Sequence, residues 1–137
     1  MKLSPAAELA VRGMLTLAEH YGQGPVTLHA ICLRRNLPRQ YLTKIFGRLA
    51  RAGLVSPIRG KRGGYTLAAD PRHINLLQVI EAVEGPVALA LCQHTPTRCS
   101  SLDCVVRGVW TEIQKVVRTK LQKATLAKCI RKAHAKV

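Results

Sequence analysis

Residues 27–68 read TLHAICLRRNLPRQYLTKIFGRLARAGLVSPIRGKRGGYTLA, and the architecture follows from them. Thr27 can cap a short helix carrying Leu28, Ile31 and Cys32. That helix should end near Asn36, a residue type that tolerates a left-handed backbone. Pro38 suits the first turn of the next helix, which runs to about Ala52 with Leu42, Ile45, Phe46 and Leu49 on its apolar face. Gln40, Lys44, Gly47 and Arg51 fall on the opposite side, flanked by Thr43 and Arg48. Two short helices joined by a tight turn, the second with a basic polar face, form a helix-turn-helix pattern. Gly53 ends the second helix, and Leu54–Arg59 and Tyr65–Ala68 read as strands. Between them Gly60-Lys61-Arg62-Gly63-Gly64 supplies the positive-φ residues that a hairpin tip needs. A basic hairpin straight after such a helix is a wing, placed to reach phosphates or a minor groove.

The charge around this stretch points the same way. The chain has 137 residues, with 22 Lys and Arg against 7 Asp and Glu, for a formal charge of +15. No Asp or Glu occurs from His20 to Ala69, where Arg34, Arg35, Arg39, Lys44, Arg48, Arg51, Arg59, Lys61 and Arg62 are all basic. A solvated helix face normally mixes signs, because like charges at i,i+4 repel. A folded segment without a carboxylate fits a polyanion, and nucleic acid fits better than a membrane surface, since no segment pairs this charge with a strongly apolar face. A second basic block, Lys115, Arg118, Lys120, Lys123, Lys128, Arg131, Lys132 and Lys136, follows Glu112 with no further acid. With 47% apolar residues the composition is globular. No apolar run approaches the ~20 residues needed to span a bilayer, and Met1–Ala10 does not read as a signal sequence. The expectation is one compact cytoplasmic protein.

Upstream, residues 5–21 place Ala7, Ala10, Val11, Met14, Leu17, Ala18 and Tyr21 on one stripe, with Ser4 as N-cap and Pro5 at the first helical position. Downstream, Asp70-Pro71 marks a turn, and Leu76, Leu77, Val79, Ile80 and Val83 form a helix stopped at Gly85-Pro86. Val106, Val109, Trp110, Ile113, Val116, Val117, Leu121 and Ala124 then repeat at helical spacing for about five turns. A helix of that length with a narrow apolar seam and basic flanks suits packing against a copy of itself; folding back on the first four helices is the alternative. Thr125 can cap a short final basic helix through Ala133. The chain thus divides into a winged helix-turn-helix unit over 1–86, an irregular segment over 87–104, and a dimerisation helix with a basic terminal helix over 105–137. The fold class is mainly α with a small β-wing.

The cysteines number five, Cys32, Cys92, Cys99, Cys104 and Cys129, an odd count that argues against a disulfide framework. Cys32 and Cys129 lie near apolar helix faces and read as small buried hydrophobes. Cys92, Cys99 and Cys104 follow C-x6-C-x4-C on the irregular segment, beside His94, Ser100, Ser101 and Asp103. Three thiols on an irregular segment can converge on one centre, and thiolate is the ligand for iron–sulfur clusters or zinc. Arg98 and Arg107 nearby favour the anionic form. The spacing matches neither the zinc-finger pairs nor the ferredoxin run, so chance loop cysteines stand beside a metal site as a reading.

Taken together, Tyr41-Leu42 in the reader helix, Ala52-Gly53-Leu54-Val55, Arg59-Gly60, Gly63-Gly64-Tyr65, Val79-Ile80-Glu81-Ala82-Val83-Glu84-Gly85-Pro86 and the three following cysteines resemble the Rrf2 family of bacterial winged-helix transcription regulators. The resemblance covers roughly residues 1–130. It implies a homodimer that binds a palindromic double-stranded DNA operator, as repressor or dual regulator, and senses through an iron–sulfur cluster (2Fe–2S or 4Fe–4S) held by Cys92, Cys99 and Cys104. The fourth ligand varies in the family. A histidine three residues after the last cysteine is excluded, because Arg107 stands there. A carboxylate early in the first helix, given by the partner subunit, is the first choice, and Glu8 occupies that place. His94 and Asp103 are reserves, and a first-turn carboxylate favoured by the helix dipole is the rival account of Glu8. Pro38 departs from the family, which often has Ser as an N-cap there.

On this reading Arg39, Gln40, Tyr41, Thr43 and Lys44 line the DNA-facing start of the reader helix, where Gln can read adenine and Arg or Lys can read guanine. Arg59, Lys61 and Arg62 on the wing hold backbone or minor groove. The alternatives are the same DNA reader with a zinc site or a thiol switch, or a non-specific nucleic-acid packaging protein. No Gly-rich phosphate loop, paired acid/base carboxylates or Ser/Cys–His nucleophile motif occurs, so the expectation is not an enzyme.

Overall fold

The computed structural model describes residues 2–94, 96–100 and 104–135, with side chains as far as residue 132. Its order is α1 (Pro5–Glu19), α2 (Leu28–Arg35), α3 (Arg39–Arg51), β1 (Val55–Ile58), β2 (Gly64–Leu67), α4 (Leu76–Glu84), α5 (Arg107–Lys123) and α6 (Leu126–Ala135). This is a winged helix-turn-helix unit followed by two C-terminal helices.

Local chemistry sets each boundary. The Ser4 hydroxyl accepts from the Ala7 amide, with Pro5 starting α1, and the Thr27 hydroxyl accepts from the Ala30 amide at the start of α2. Asn36 closes α2 in the left-handed region at φ 53°, giving the chain its tight entry into α3. Pro38 stands at the N-cap of α3, one position before the helix, and offers no side-chain cap. α1 ends at Glu19, so Tyr21 leaves the expected stripe and is exposed. The helix stops there because Gly22 takes a positive φ of 86° and turns the chain toward α2. Asn75 and Gln78 form a reciprocal capping box on α4, each side-chain oxygen accepting the other's amide at 2.9 Å.

The core gathers Ala7, Ala10, Met14 and Leu17 of α1, Ile31 of α2, Leu42, Ile45, Phe46 and Leu49 of α3, and Val79, Ile80 and Val83 of α4. The α3 face is the one expected. β1 and β2 pair antiparallel in the register Val55↔Leu67 to Ile58↔Gly64, and Val26 adds a bridge to Tyr65 with bonds of 2.9 and 2.8 Å. Tyr65 also lays its ring against Phe46, centroids 4.9 Å apart, so the wing is anchored on the reader helix. Gly64 is required there: at φ +150° a Cβ would stand 2.4 Å from the Val26 carbonyl oxygen.

α6 packs back on α1 and on a short 3-10 turn, Pro71–His73, and Leu126 is fully buried. Backbone bonds from Leu126 to Ile74 (2.8 Å) and from Leu76 to Ala124 (2.9 Å) pin the α5–α6 corner to the start of α4. α5 buries no residue fully. Val117 and Leu121 face the fold, while Val105, Val109, Ile113 and Val116 form an exposed apolar arc. Cys32 and Cys129 are half-buried rather than enclosed, since both sit at the rim of their helices' apolar faces.

Candidate nucleic-acid interface and cysteine segment

The apolar face of α3 is sealed against α1, α2 and α4, so its polar face is left to solvent by geometry alone. Arg39, Gln40, Tyr41, Thr43 and Lys44 are all exposed, as are Arg59, Lys61 and Arg62 on the wing. Among the described residues none of these cations has a carboxylate partner. The Thr43 hydroxyl donates to the Arg39 carbonyl at 3.0 Å, so it faces a ligand as an acceptor and a methyl. The hairpin tip is tight: the Gly63 amide donates to the Gly60 carbonyl at 3.0 Å, and a Cβ on Gly63 would stand 2.4 Å from the Ile58 oxygen. Gly60 and Gly64 carry the positive φ values of the tip, whereas Gly63 is needed for room.

Two cations of the same acid-free stretch do different work. Arg35 donates to the Thr16 hydroxyl at 2.9 Å and to Glu19 at 2.8 Å, and Arg34 also bonds Glu19. Thr16 is 1% exposed. This network bolts α2 onto α1 and thereby holds the helix-turn-helix at its angle. The sequence pattern shows the cations but not their partner, because Glu19 lies one residue outside the acid-free window.

The cysteine segment is irregular apart from a 3-10 turn at Leu91–Gln93. The Arg98 amide donates to the Leu91 carbonyl at 3.0 Å, folding the chain back so that Cys92 and Cys99 follow the two ends of one closed loop. The Cys104 carbonyl accepts from the Arg107 amide where α5 begins. Gln93 ties these parts together. Its Oε1 accepts from the Leu89 and Ala90 amides at 2.7 and 3.3 Å, and its Nε2 donates to the Trp110 carbonyl of α5 at 2.8 Å. Two further links follow along α5: Gln114 donates to the Val87 carbonyl at 2.7 Å, and Arg118 pairs with Glu81 at 2.8 Å. Sequence reading missed all three, because a lone Gln or an i-to-distant ion pair has no periodic signal.

The last turn of α4 is where the links meet. Glu81 Oε2 accepts from the Val87 amide at 3.0 Å as well as from Arg118. Glu84 accepts from the Ser4 amide at the head of α1, and the Val83 carbonyl accepts from Arg48 of α3 at 3.1 Å. Residues 81–84 therefore touch the reader helix, the head of α1, the cysteine segment and α5.

Cys92, Cys99 and Cys104 are free thiols of intermediate exposure on one segment, which is the donor chemistry an iron–sulfur centre takes. Among the described residues no three Cys, His, Asp or Glu side chains stand close enough together to hold one metal ion. The fit is therefore in ligand type and placement rather than in assembled geometry. Glu8 is exposed on the first turn of α1, and His94 lines a cleft of about 570 Å³ with Lys2, Glu84 and Val117. Asp103 lies outside the described residues. Among the described residues no helix is long and apolar enough to cross a membrane.

Residues 3–132 match the Rrf2 family model, described as an iron-dependent transcriptional regulator. The chain is 34% identical over 131 residues to the HTH-type transcriptional regulator IscR of Vibrio campbellii, covering 96% of this chain and 78% of that one. Among solved structures it is similar to T. potens IscR, with a TM-score of 0.82, 33% identity and coverage of 100% and 92%. It is equally similar to CymR, the global cysteine regulator of B. subtilis, with a TM-score of 0.82, 30% identity and coverage of 94% and 95%. Sequence and fold agree with these relatives, and the chain belongs to the Rrf2 family of winged-helix, DNA-binding transcriptional regulators.

Proposed function

We propose that this regulator grips a palindromic operator as a homodimer, and that the state of its cysteine segment sets the grip through an iron–sulfur cluster. Arg39, Gln40, Tyr41, Thr43 and Lys44 enter the major groove, and Arg59, Lys61 and Arg62 hold the flanking backbone or minor groove. The exposed apolar arc of α5 is the surface that a second copy covers, since Val109, Ile113 and Val116 otherwise stay in water at a cost of roughly 25 cal/mol per Å².

Cys92, Cys99 and Cys104 would hold the cluster, with Glu8 of the other subunit as fourth ligand. When bound, the cluster supplies an oxidation-sensitive centre that cross-links the segment. The observation that carries the reading is the hydrogen-bonded chain from that segment to the reader. Gln93 fixes the Cys92 turn to α5, Glu81 fixes Val87 to α4, and Arg48 fixes α3 to the Val83 carbonyl. A change at the cysteines therefore reaches the helix that enters the groove. In a dimer it also alters the spacing of two reader helices, which must match half-sites about one helical turn apart.

The test is anaerobic purification with iron, sulfide and zinc quantified per chain, alongside Cys99→Ala. The expected product is coloured, with iron and sulfide bound and an operator affinity that Cys99→Ala changes. A colourless, metal-free protein with operator affinity independent of the three thiols would overturn the sensing reading. A second reading, a metal-free thiol switch on the same segment, is favoured by one observation: the three thiols are free, partly exposed and not gathered. It predicts operator affinity that responds to peroxide and dithiothreitol with no metal bound.

A further inference from the structure

Apart from Arg118, which pairs with Glu81, the second basic block has no function in the reading above. On α6, Lys128, Arg131 and Lys132 are exposed and share one face, while Leu126, Cys129 and Ile130 turn toward the protein. Lys123 is exposed just before them, and Lys128 Nζ reaches the Lys123 carbonyl at 3.2 Å, so the four cations form one ridge around the α5–α6 corner. Among the described residues none of the four has a carboxylate partner: Asp70 is taken by Arg72, and Glu81 by Arg118. Lys128 is also the third residue of α6, against the positive end of the helix dipole, where an acid would be favoured. Lys128 thus stands at the positive end of its helix, and the three α6 cations crowd one face with no carboxylate beside them, a repulsion that an external anion relieves.

The position of the ridge identifies that anion. At its N-terminal end α1 borders the cysteine segment and α5, through the cleft lined by Lys2, Ser4, His94 and Val117. At its C-terminal end, roughly 22 Å away at 1.5 Å per residue, Ala18 and Tyr21 share a cleft with Ile130 and Arg131 of α6 and Arg72. That is the end from which the chain passes into α2, and where Val26 pairs with Tyr65 of the wing. The ridge therefore lies at the end of α1 from which the chain passes into the helix-turn-helix, away from the cleft that holds His94. We infer that Lys123, Lys128, Arg131 and Lys132 form a further DNA contact, gripping backbone phosphates of the duplex that flanks the operator. The ridge offers long, flexible cations and no planar base-reading pair, so it adds affinity without adding sequence preference. This inference rests on operator binding by α3 and the wing.

The experiment takes the full chain and a site recovered by selection from random duplex DNA, in a short form ending at the palindrome and a long form with ten further base pairs of arbitrary sequence on each side. Binding is measured by fluorescence anisotropy over a range of salt concentrations. The wild type is expected to bind the long form several-fold more tightly and with the steeper salt dependence. Lys128→Gln/Arg131→Gln/Lys132→Gln should lose that advantage, its salt slope on the long form falling by about 0.9 per phosphate contact removed. It should keep the wild-type sequence preference and melting temperature. Lys2→Gln, in the cleft at the other end of α1, removes charge elsewhere and should retain the length dependence. Equal binding of short and long forms by the wild type overturns the inference, as does an equal loss per charge in Lys2→Gln, which would mark a net-charge effect. Absence of any selected site would instead strike at the operator reading, and the two failures are distinct.

Discussion

Gly13 of α1 is in contact with the ring edge of Phe46: a Cβ there would stand 2.7 Å from Cε2 and 3.0 Å from Cζ. Phe46 is fully buried and backed by Tyr65, so the ring has no room to retreat. Gly13→Ala would gain about 1 kcal/mol of helix propensity but overpack the core by about 1–3 kcal/mol. The expected net is a loss near 1 kcal/mol in urea unfolding. On the outer face of α3 the consequences differ in kind. Gln40→Ala should relax preference at one operator position, at about 1–3 kcal/mol of discrimination, whereas Lys61→Ala should weaken all sequences alike and lower the salt slope by about 1. Both are read by titration against operator variants. Asp70 illustrates a titrating residue: hydrogen bonds from the Arg72 side chain and amide hold its carboxyl below the ordinary carboxylate range. Its contribution is thus fully present above the ordinary Asp pKa and is lost as pH falls through the lowered value. Asp70→Asn should remove that part of the acid limb from a plot of melting temperature against pH.

Among the elements, α4 does more than fill the core. Its head is fixed by the Asn75–Gln78 box, and Asn75 also sits in a bridge with Thr125 at the α5–α6 corner. Asn75→Ala should cost about 1 kcal/mol in unfolding free energy. Its last turn links four parts of the fold, and the Glu81–Arg118 pair there is partly exposed, at 26% and 35%. Such a pair contributes at most about 1 kcal/mol to stability. Glu81→Ala should therefore lower the melting point little. It should narrow the difference in operator affinity between oxidised and reduced protein, because Val87 and α5 lose their shared anchor. α5 itself has two faces, one joined to α4 through Arg118 and to Val87 through Gln114, with Val117 and Leu121 turned inward, the other an apolar arc open to solvent.

At the scale of the whole molecule, the proposed dimer depends on that open arc. Ile113→Glu puts a carboxylate in the middle of the arc, 40% exposed in the protomer, so the protomer should fold while association fails. Sedimentation should show a monomer, and binding to a two-half-site operator should drop to the level of a single half-site. The helix-turn-helix, the wing, the caps at Ser4 and Thr27, the left-handed Asn36 and the buried face of α3 were all legible in residue order, because each depends on neighbours within one or two turns. The acid-free stretch likewise gave the sign of the partner. What residue order could not show is which cations are spoken for and which are not. Arg34 and Arg35 are bound to Glu19 and Arg118 to Glu81, while Lys128, Arg131 and Lys132 face water together. It also could not show that Gln93, Glu81 and Arg48 join the cysteine segment to the reader, or that the three thiols form no metal-holding group among the described residues of the protomer. Helical periodicity and capping are local properties of a chain, whereas pairing between side chains dozens of residues apart exists only once the helices have packed.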